Sequence, residues 1–450
     1  MEELKSSTPT HPAVQVKVWN TFTPPINNNL FKESTLNAPK SSNNKVASVR
    51  PVARKNRDQP RLRFPEFSGK WSTSTLSKFL ELPIQEKVDV TSIDQLLTLR
   101  LHLKGLALCK DVNLKLGATE YYKRTAGQLI YGKQNFLNKA IAIIPKEFDG
   151  KCSSKDVPSF NIKYGDSNFI YYSITRDSYI KSKDMYAKGT GSKRVSEKSI
   201  LTFEIIFPSL EEQQKIGNFF KDIDDKSRNL EKSLNGFISL KKSLLQQLYT
   251  DKIYPRLRFP EYTKALEKVE LKSFVKKNSK KNKDLSVTYV ESVSNKFGFI
   301  SQEDLFNNRS IASKELSNYT IIEEHGFAYN PSRINVGSIA YKHKGEPTSI
   351  VSPLYVCFSL NEKKVNNEYF INWIRTSYFD SQRRVLNAGS VRDSLVFVSF
   401  VELQIRLPNL EEQNKIAKLL IEVNKLISTY EKTIESHKNL KQALLQRMFI

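Results

Sequence analysis

One long stretch of this 450-residue chain occurs twice, at 208–250 and again at 408–450. The shared residues are concentrated at the two ends of the stretch, as P-x-L-E-E-Q-x-K-I and as L-K-x-x-L-L-Q. A long-period internal repeat constrains a fold more strongly than any local pattern. It predicts two similar halves, each made of a globular region followed by a long helix.

Each copy begins with a proline and acidic residues, and its apolar residues then return at spacings of four and three, which predicts a helix. An apolar seam sustained over more than four heptads is typical of a coiled coil. The alternative is two amphipathic helices that each pack on their own domain, but matching registers in two copies favour pairing, which we expect to be antiparallel. The predicted seam consists of Ile216, Phe220, Ile223, Leu230, Leu234, Phe237, Leu244 and Leu248 in the first copy, and of Ile416, Leu420, Val423, Ile427, Tyr430, Ile434, Leu444 and Met448 in the second.

The chain carries a formal net charge of +24 at pH 7. The two repeated helices are nearly neutral, so the excess lies in the other segments. A surplus of this size indicates a polyanionic partner. The predicted organisation is a basic, disordered extension at 1–60, a first globular domain at 61–207, the first helix at 208–250, a second globular domain at 251–407 and the second helix at 408–450.

Both globular regions carry short apolar runs and helical segments, which predicts an α+β fold. In the first region we predict a helix over 95–106 and strands over 128–131, 140–145, 169–173 and 200–207. In the second we predict strands over 286–293, 326–329, 337–341, 349–358 and 396–407, with a helix over 368–386. The tetrapeptides G-S-K-R at 191–194 and G-S-V-R at 389–392 each precede the last strand. They predict matching roles for Arg194 and Arg392.

Catalytic motifs are missing from the sequence. Residues 127–133 follow the G-x-x-x-x-G-K skeleton of a phosphate-binding loop, but Gln134 stands where Ser or Thr should reach magnesium, and no helical pattern follows. Neither the glycine-rich turn nor the N/D-P-P-aromatic box of an adenine methyltransferase is present, and the histidines have no metal-binding spacing. We therefore expect no catalytic residues, no metal and no cofactor in this chain.

Basic and amide side chains in loops suit the recognition of duplex DNA, because Arg and Lys bind guanine and phosphate while Asn and Gln bind adenine. Both domains contain predicted loops rich in such residues. The predicted DNA-binding residues are Lys123, Arg124, Lys133, Gln134, Asn135, Lys188, Lys193 and Arg194 in the first domain, and Ser332, Arg333, Asn335, Lys342, Lys344, Ser390 and Arg392 in the second.

The heptapeptides R-L-R-F-P-E-F at 61–67 and R-L-R-F-P-E-Y at 256–262 head the two globular regions. Together with the P-x-L-E-E-Q opening of both helices, they resemble the specificity (S) subunits of type I restriction-modification systems. The resemblance implies two target-recognition domains separated by two long helices that form an antiparallel coiled coil with pseudo-twofold symmetry. It also implies that the domains read a bipartite, asymmetric site in double-stranded DNA.

The resemblance further implies that the helices dock two modification (M) subunits, which carry S-adenosylmethionine. Where restriction (R) subunits are present, two of them join through the M subunits and bring ATP and magnesium. The alternative is a coiled-coil adaptor with basic RNA-binding domains, because an aromatic content of 11% would suit stacking on single strands. Selective binding of a duplex with two motifs at fixed spacing would distinguish these hypotheses.

No apolar run approaches the roughly 18 to 20 residues that a membrane-spanning helix needs. The three cysteines are widely spaced and form no C-x-x-C pair. We therefore expect a cytoplasmic protein with reduced cysteines, no zinc site and no membrane partner.

Overall fold

The computed structural model describes residues 32–33, 58–111, 113–114, 116–117, 119–187, 193–302, 315–387 and 394–450. These residues divide into two compact units. The first unit combines the described residues up to Asp224 with Asn439–Ile450, and the second comprises those of Asp225–Lys438. Each unit therefore contains a part of both repeated helices.

The first unit is built on a four-stranded antiparallel sheet with the strand order β10-β9-β12-β4. Strands β11, β8 and β5 form a second sheet, and β13 pairs with β3 beside the long helix. The strands are β1 (Lys32–Glu33), β2 (Leu62–Arg63), β3 (Ser72–Thr75), β4 (Leu80–Glu81), β5 (Lys87–Val88), β6 (Leu97–Leu99), β7 (Leu106–Leu108), β8 (Tyr121–Lys123), β9 (Leu129–Tyr131), β10 (Ile141–Ile143), β11 (Cys152–Ser154), β12 (Ser159–Ile162) and β13 (Glu204–Phe207). The helices are α1 (Ser167–Thr175), α2 (Asp177–Ser182), α3 (Glu197–Leu201) and the long helix α4 (Leu210–Leu248), of which the part up to Asp224 belongs to this unit.

The second unit repeats this plan, with a four-stranded antiparallel sheet in the order β20-β19-β22-β15. A second sheet contains β17, β16, β21 and β18, and β14 pairs with β23. The strands are β14 (Glu267–Glu270), β15 (Val275–Lys277), β16 (Val290–Ser294), β17 (Gly298–Ser301), β18 (Thr320–Ile322), β19 (Phe327–Tyr329), β20 (Ile339–Tyr341), β21 (Ser349–Val351), β22 (Val356–Leu360) and β23 (Gln404–Leu407). The helices are α5 (Asn367–Ile374), α6 (Ser377–Asn387), α7 (Phe397–Glu402) and the long helix α8 (Leu410–Met448), of which the part up to Lys438 belongs to this unit.

The long helices α4 and α8 have 39 residues each. All sixteen residues of the predicted seam are buried or half-buried, and none is exposed. In the second unit the rings of Phe237 and Tyr430 lie 5.3 Å apart, and Lys438 pairs with Glu231. The lower-numbered residue of α4 contacts the higher-numbered residue of α8, so the two helices run antiparallel within this unit.

The part of α8 that belongs to the first unit packs on α4 in the same antiparallel sense. The Phe449 ring lies 5.8 Å from that of Phe220, and Lys441 Nζ lies 2.5 Å from Asp224 Oδ1. Phe449 also packs against Phe169 and Trp71 in the hydrophobic core. The end of one long helix thus completes the core around the start of the other.

Several secondary-structure predictions were wrong for identifiable reasons. The predicted helix at 95–106 is a hairpin of β6 and β7, because Leu97 and Leu99 alternate in the strand period and the chain turns at Gly105, whose φ is +71°. The predicted strand at 169–173 lies inside α1, whose first turn is capped by Asp166 at 2.8 Å.

The other differences concern element boundaries. The strands predicted at 200–207 and 396–407 each begin with a helical turn, α3 and α7, before β13 and β23 start. The single helix predicted at 368–386 is two helices, α5 and α6, with a break at Arg375–Thr376. The remaining predicted strands overlap observed strands, and the mixed α+β class is confirmed.

Candidate nucleic-acid interface

The repeated heptapeptide and the repeated helix opening bind each other in both units. Arg63 donates from Nε and Nη2 to the Glu212 carboxylate at 2.7 and 2.6 Å, and Arg258 makes the same two bonds to Glu412 at 2.8 and 2.7 Å. Both glutamates are 1% exposed. A bidentate pair fixes direction as well as distance, so these residues set how the long helix joins each domain.

A glutamine in the next helical position ties the same helix to the domain core. Gln213 donates to the carbonyl of Pro208 at 2.9 Å and accepts from the amide of Asp166 at 3.2 Å. Gln413 likewise donates to Pro408 at 3.0 Å and accepts from the amide of Asn366 at 2.9 Å. The sequence comparison found these motifs as repeats, but it did not predict that they contact one another.

Three loops meet at one end of the four-stranded sheet in the first unit. The amide of Lys133, after β9, donates to the carbonyl of Asp156 at 2.9 Å, and the amide of Val195 donates to the carbonyl of Lys133 at 3.0 Å. Tyr131, at the end of β9, donates its hydroxyl to the carbonyl of Val195 at 3.1 Å. We name this meeting point of the loops around Lys133, Asp156 and Arg194 the first loop junction.

The second unit has an equivalent arrangement. The amide of Leu395 donates to the carbonyl of Pro331 at 3.0 Å, and Tyr329 donates its hydroxyl to the carbonyl of Leu395 at 3.0 Å. In the turn between β21 and β22 the Tyr355 amide donates to the Ser352 carbonyl at 3.0 Å, as the Val157 amide donates to the Ser154 carbonyl at 3.0 Å in the first unit, so Leu354 takes the place of Asp156. Proline has no N–H, so the bond that joins Lys133 to Asp156 has no counterpart at Pro331. We name the loops around Pro331, Leu354 and Ser394 the second loop junction.

The hydrogen bonds of the second loop junction correct one predicted equivalence. Leu395 takes the place of Val195, so the residue that matches Arg194 is Ser394 rather than Arg392. Val195 follows the tetrapeptide of the first unit directly, whereas two residues stand between the tetrapeptide of the second unit and Leu395. Arg392 itself lies outside the described residues, as do Lys188 and Ser390.

The first loop junction brings together most of the predicted residues of its domain. Arg194 pairs with Asp156, Lys133 pairs with Glu197 at 2.7 Å, and Lys193, beside Arg194, pairs with Asp184 at 2.9 Å. Gln134 is exposed and Asn135 is half-buried in the same loop after β9. At the second loop junction, the turn after β19 carries the exposed residues Ser332, Arg333 and Asn335.

The other predicted residues lie at the opposite end of the strands. Lys123 ends β8 and pairs with Glu86 at 3.2 Å, and Lys344 is exposed after β20. The end of β20 lies beside the start of its antiparallel neighbour β19, so Lys344 is not at the second loop junction. Lys123 precedes β9, whereas the first loop junction follows β9, so Lys123 does not join it either.

Two predicted DNA-binding residues are buried, and we withdraw them from the candidate set. Arg124 is 1% exposed and donates from Nε to Ser153 Oγ at 2.7 Å, while burial lowers the pKa of its guanidinium to about 10. Lys342 is 0% exposed and pairs with Glu291. Charged side chains without solvent-exposed surface cannot reach a DNA duplex, and their hydrogen bonds explain why they are tolerated inside.

No group of three or more His, Cys, Asp or Glu side chains is arranged to hold a metal ion within the part of the chain that the structure describes. None of the helices in these ranges is both long and apolar enough to cross a membrane.

The family described as "Type I restriction modification DNA specificity domain" matches residues 72–237 and 264–446. The two matches cover most of the chain and follow its two repeats. The chain belongs to this family. Membership confirms the predicted resemblance to type I specificity subunits and does not favour the alternative of a coiled-coil adaptor with RNA-binding domains.

Individual members of the type I specificity family resemble the chain along most of its length. The MjaVIII specificity subunit of Methanocaldococcus jannaschii is 23% identical over 339 residues, which cover 71% of this chain and 75% of that protein. The crystal structure of the type I system S subunit from M. genitalium has a TM-score of 0.56 and 13% identity, covering 87% of this chain and 99% of that one. At that identity the structural match supports the fold alone.

Proposed function

We propose that this chain is the DNA-recognition subunit of a type I restriction-modification enzyme and that each unit reads one half of a bipartite, asymmetric site in double-stranded DNA. The observation that carries the proposal is the pair of loop junctions, in which Val195 and Leu395 make the same hydrogen bonds while the surrounding side chains differ. Two readers on one framework would recognise two different half-sites.

The surface charge supports a duplex partner. A net charge of +24 attracts a polyanion, and exposed basic side chains such as Arg333 can contact phosphates. Amide and hydroxyl side chains at the junctions, such as Gln134 and Ser332, can hydrogen-bond to base edges. Phosphate contacts would position each unit, and the side chains at its junction would select the sequence.

We further propose that the long helices dock two M subunits, which supply S-adenosylmethionine for adenine methylation. Two R subunits, where present, join through the M subunits and supply ATP and magnesium chemistry. The chain itself contributes recognition rather than catalysis, and acts in the cytoplasm. The purified chain alone should therefore transfer no methyl group from labelled S-adenosylmethionine, while adding its M subunits should permit transfer.

The test is selection of duplexes from a randomised pool by the complex of this chain with its M subunits. The proposal expects enriched duplexes with two short motifs at one fixed spacing, and loss of binding by a factor of about 10³ to 10⁵ between low and moderately high salt if six to ten phosphates are neutralised. Enrichment of single strands or of RNA, or methyl transfer by the chain without a partner, would contradict the proposal.

A further inference from the structure

Arg194 and Asp156 form an exposed two-point ion pair at the first loop junction. Arg194 Nη1 donates to Asp156 Oδ1 at 2.9 Å, and Nη2 donates to Oδ2 at 3.2 Å. The two side chains are 48% and 52% exposed. An exposed pair of this kind contributes little to stability, so its main physical effect is to fix the orientation of the guanidinium plane.

The backbones of both residues are held by a third. Lys133 donates its amide to the carbonyl of Asp156 and accepts at its carbonyl from the amide of Val195, which follows Arg194 directly. Val195 is 1% exposed and belongs to the hydrophobic core. The backbone that carries the ion pair is therefore held in place, as a side chain that recognises a base at one fixed position requires.

Asp156 binds the end of the Arg194 guanidinium, so the side edge remains available to a ligand. A guanidinium has five N–H donors, and the carboxylate takes one from each terminal nitrogen. The Nε–H and the second N–H of Nη2 are parallel and form the side edge. Among the residues that the structure describes, none accepts a hydrogen bond from that side edge. Two parallel donors match the O6 and N7 acceptors of guanine in the major groove.

A base edge suits this pair better than a phosphate does. A phosphate brought to Arg194 would also approach the negative charge of Asp156, and the repulsion would oppose binding. A base edge has no net charge, and Asp156 can accept a hydrogen bond from the amino group of a neighbouring cytosine. An Arg–Asp couple is therefore a sequence-reading element rather than a charge for the DNA backbone.

We propose that Asp156 is a positioning residue that holds Arg194 to read one guanine, through O6 and N7, in the half-site of the first unit. The inference rests on the proposed function and adds to it the base and the two residues. The second loop junction has Leu354 and Ser394 at the equivalent positions, so the second half-site lacks this readout.

The experiment uses the complex with M subunits and the duplex selected by the wild-type protein. Each guanine in turn is replaced by 7-deazaguanine, which lacks the N7 acceptor but keeps the Watson–Crick pairing. For the wild type, one guanine in one half-site should be sensitive, with binding weakened by about 5- to 150-fold. Replacement at the other guanines should have a smaller effect.

Two variants test the roles of the pair. Arg194→Ala removes every side-chain donor, so it should bind the wild-type duplex about 5- to 150-fold more weakly and lose its sensitivity to 7-deazaguanine at that position. Asp156→Asn should lose part of the same sensitivity, while the preference in the other half-site stays unchanged. Asp58→Asn is the matched control, because Asp58 is an exposed carboxylate that pairs with Lys70 at 2.6 Å; it should behave as the wild type.

The outcomes separate the inference from the function on which it rests. If Asp156→Asn strengthened binding to all duplexes equally, Asp156 would be a competitor of the phosphates, and the inference would be wrong while the function stood. If Arg194→Ala kept the wild-type response at every guanine, the inference would also be wrong. If the wild-type complex selected no duplex at all, the proposed function would fail and the inference with it.

Discussion

The two loop junctions share the hydrogen bonds made by Val195 and Leu395, but their side chains differ in charge. At the first junction the three meeting loops carry Lys133, Asp156 and Arg194, and all three are charged. At the second, the equivalent positions are Pro331, Leu354 and Ser394, and none is charged. Leu354 is 77% exposed, although a large apolar side chain gains nothing from contact with water.

This comparison teaches which parts of the fold must be kept and which can vary. The Arg–Glu pairs and the hydrogen bonds of Gln213 and Gln413 recur in both units because they hold each domain to its long helix. The tyrosine hydroxyl bonds recur because they hold the loops to the sheet. The side chains that project from the loop junctions do not hold these parts of the fold together. They can therefore change without loss of the fold, which leaves them available for selection by the bound sequence.

The interiors of the two units also differ, and substitutions there should have the largest effect on the free energy of unfolding. Lys342 is paired with the buried carboxylate of Glu291 and donates to Ser349 Oγ at 3.1 Å, whereas Arg124 is bound by neutral groups such as Ser153. Lys342→Met would leave a buried carboxylate unpaired and should cost about 3–5 kcal/mol. Arg124→Met leaves hydroxyls that retain other partners and should cost about 1–2 kcal/mol.

Hydrogen–deuterium exchange of β20 and β9 would measure these losses separately in the two units. The double variant Lys342→Met with Glu291→Met is the control, because removal of both charges should restore most of the lost stability. Equal losses in Lys342→Met and Arg124→Met would mean that the two interiors do not differ in the way described.

The shared framework predicts equal effects in the two units. Glu212→Ala and Glu412→Ala each remove the partner of a largely buried arginine and should each cost about 3 kcal/mol. Glu66→Gln and Glu261→Gln are matched controls, since these carboxylates pair with Lys215 and Lys415 at the surface, and they should change the exchange rates little. A clear inequality between the two alanine variants would show that the repeated motifs have different structural roles.

Exchanging the side chains of the junctions should change sequence preference without changing the fold. Leu354→Asp removes an apolar group that suits a thymine methyl, and Asp156→Leu removes the acceptor that holds Arg194. On the proposed function, each variant should alter base preference in its own half-site by about 1–2 kcal/mol and leave the other half-site unchanged. Duplex selection with each variant complex measures this, and altered preference in both half-sites would contradict the separation. Leu354→Met is the conservative control and should keep the wild-type preference.

The long helices were predictable because their seam is periodic and repeated, so each copy supports the other. The buried state of Lys342 was not predictable from its basic neighbours Lys344 and His343. In β20, Ile339 and Tyr341 face one core cluster while Ala340 faces another, and Lys342 continues the alternation of Ala340 toward the second. A loop-like sequence can thus be the end of a strand that is buried on both faces.

The loop junctions were predictable only in part. The sequence indicated that the segments after β9 and before α3 matter, but the carboxylate of Asp156 comes from a third loop without a motif. Helix α1 was mistaken for a strand because a short apolar run fits both structures. The capping residue Asp166, three residues before Phe169, was the available signal.

The smallest expected effect is a pH response confined to the second unit. His343 Nδ1 lies 2.8 Å from Glu368 Oε1, and this hydrogen bond raises the pKa of His343. Partial burial opposes the rise, the charges of Glu368 and Glu346 add to it, and Arg375 opposes it weakly. A histidine whose pKa is raised by folding contributes stability that is fully present below its unfolded pKa of about 6.5 and is lost as pH rises through the folded pKa.

The equivalent positions in the first unit are Pro145 and Asn168, so that unit has no counterpart of this pair. His343 is about half exposed, and we expect the contribution to be about 0.5 kcal/mol or less. Titration of the His343 ring by NMR should give a lower pKa in Glu368→Gln than in the wild type, whereas Glu346→Gln should lower it less. An unchanged pKa in Glu368→Gln would mean that the carboxylate does not hold the ring in solution, and this difference between the two units would then have no energetic consequence.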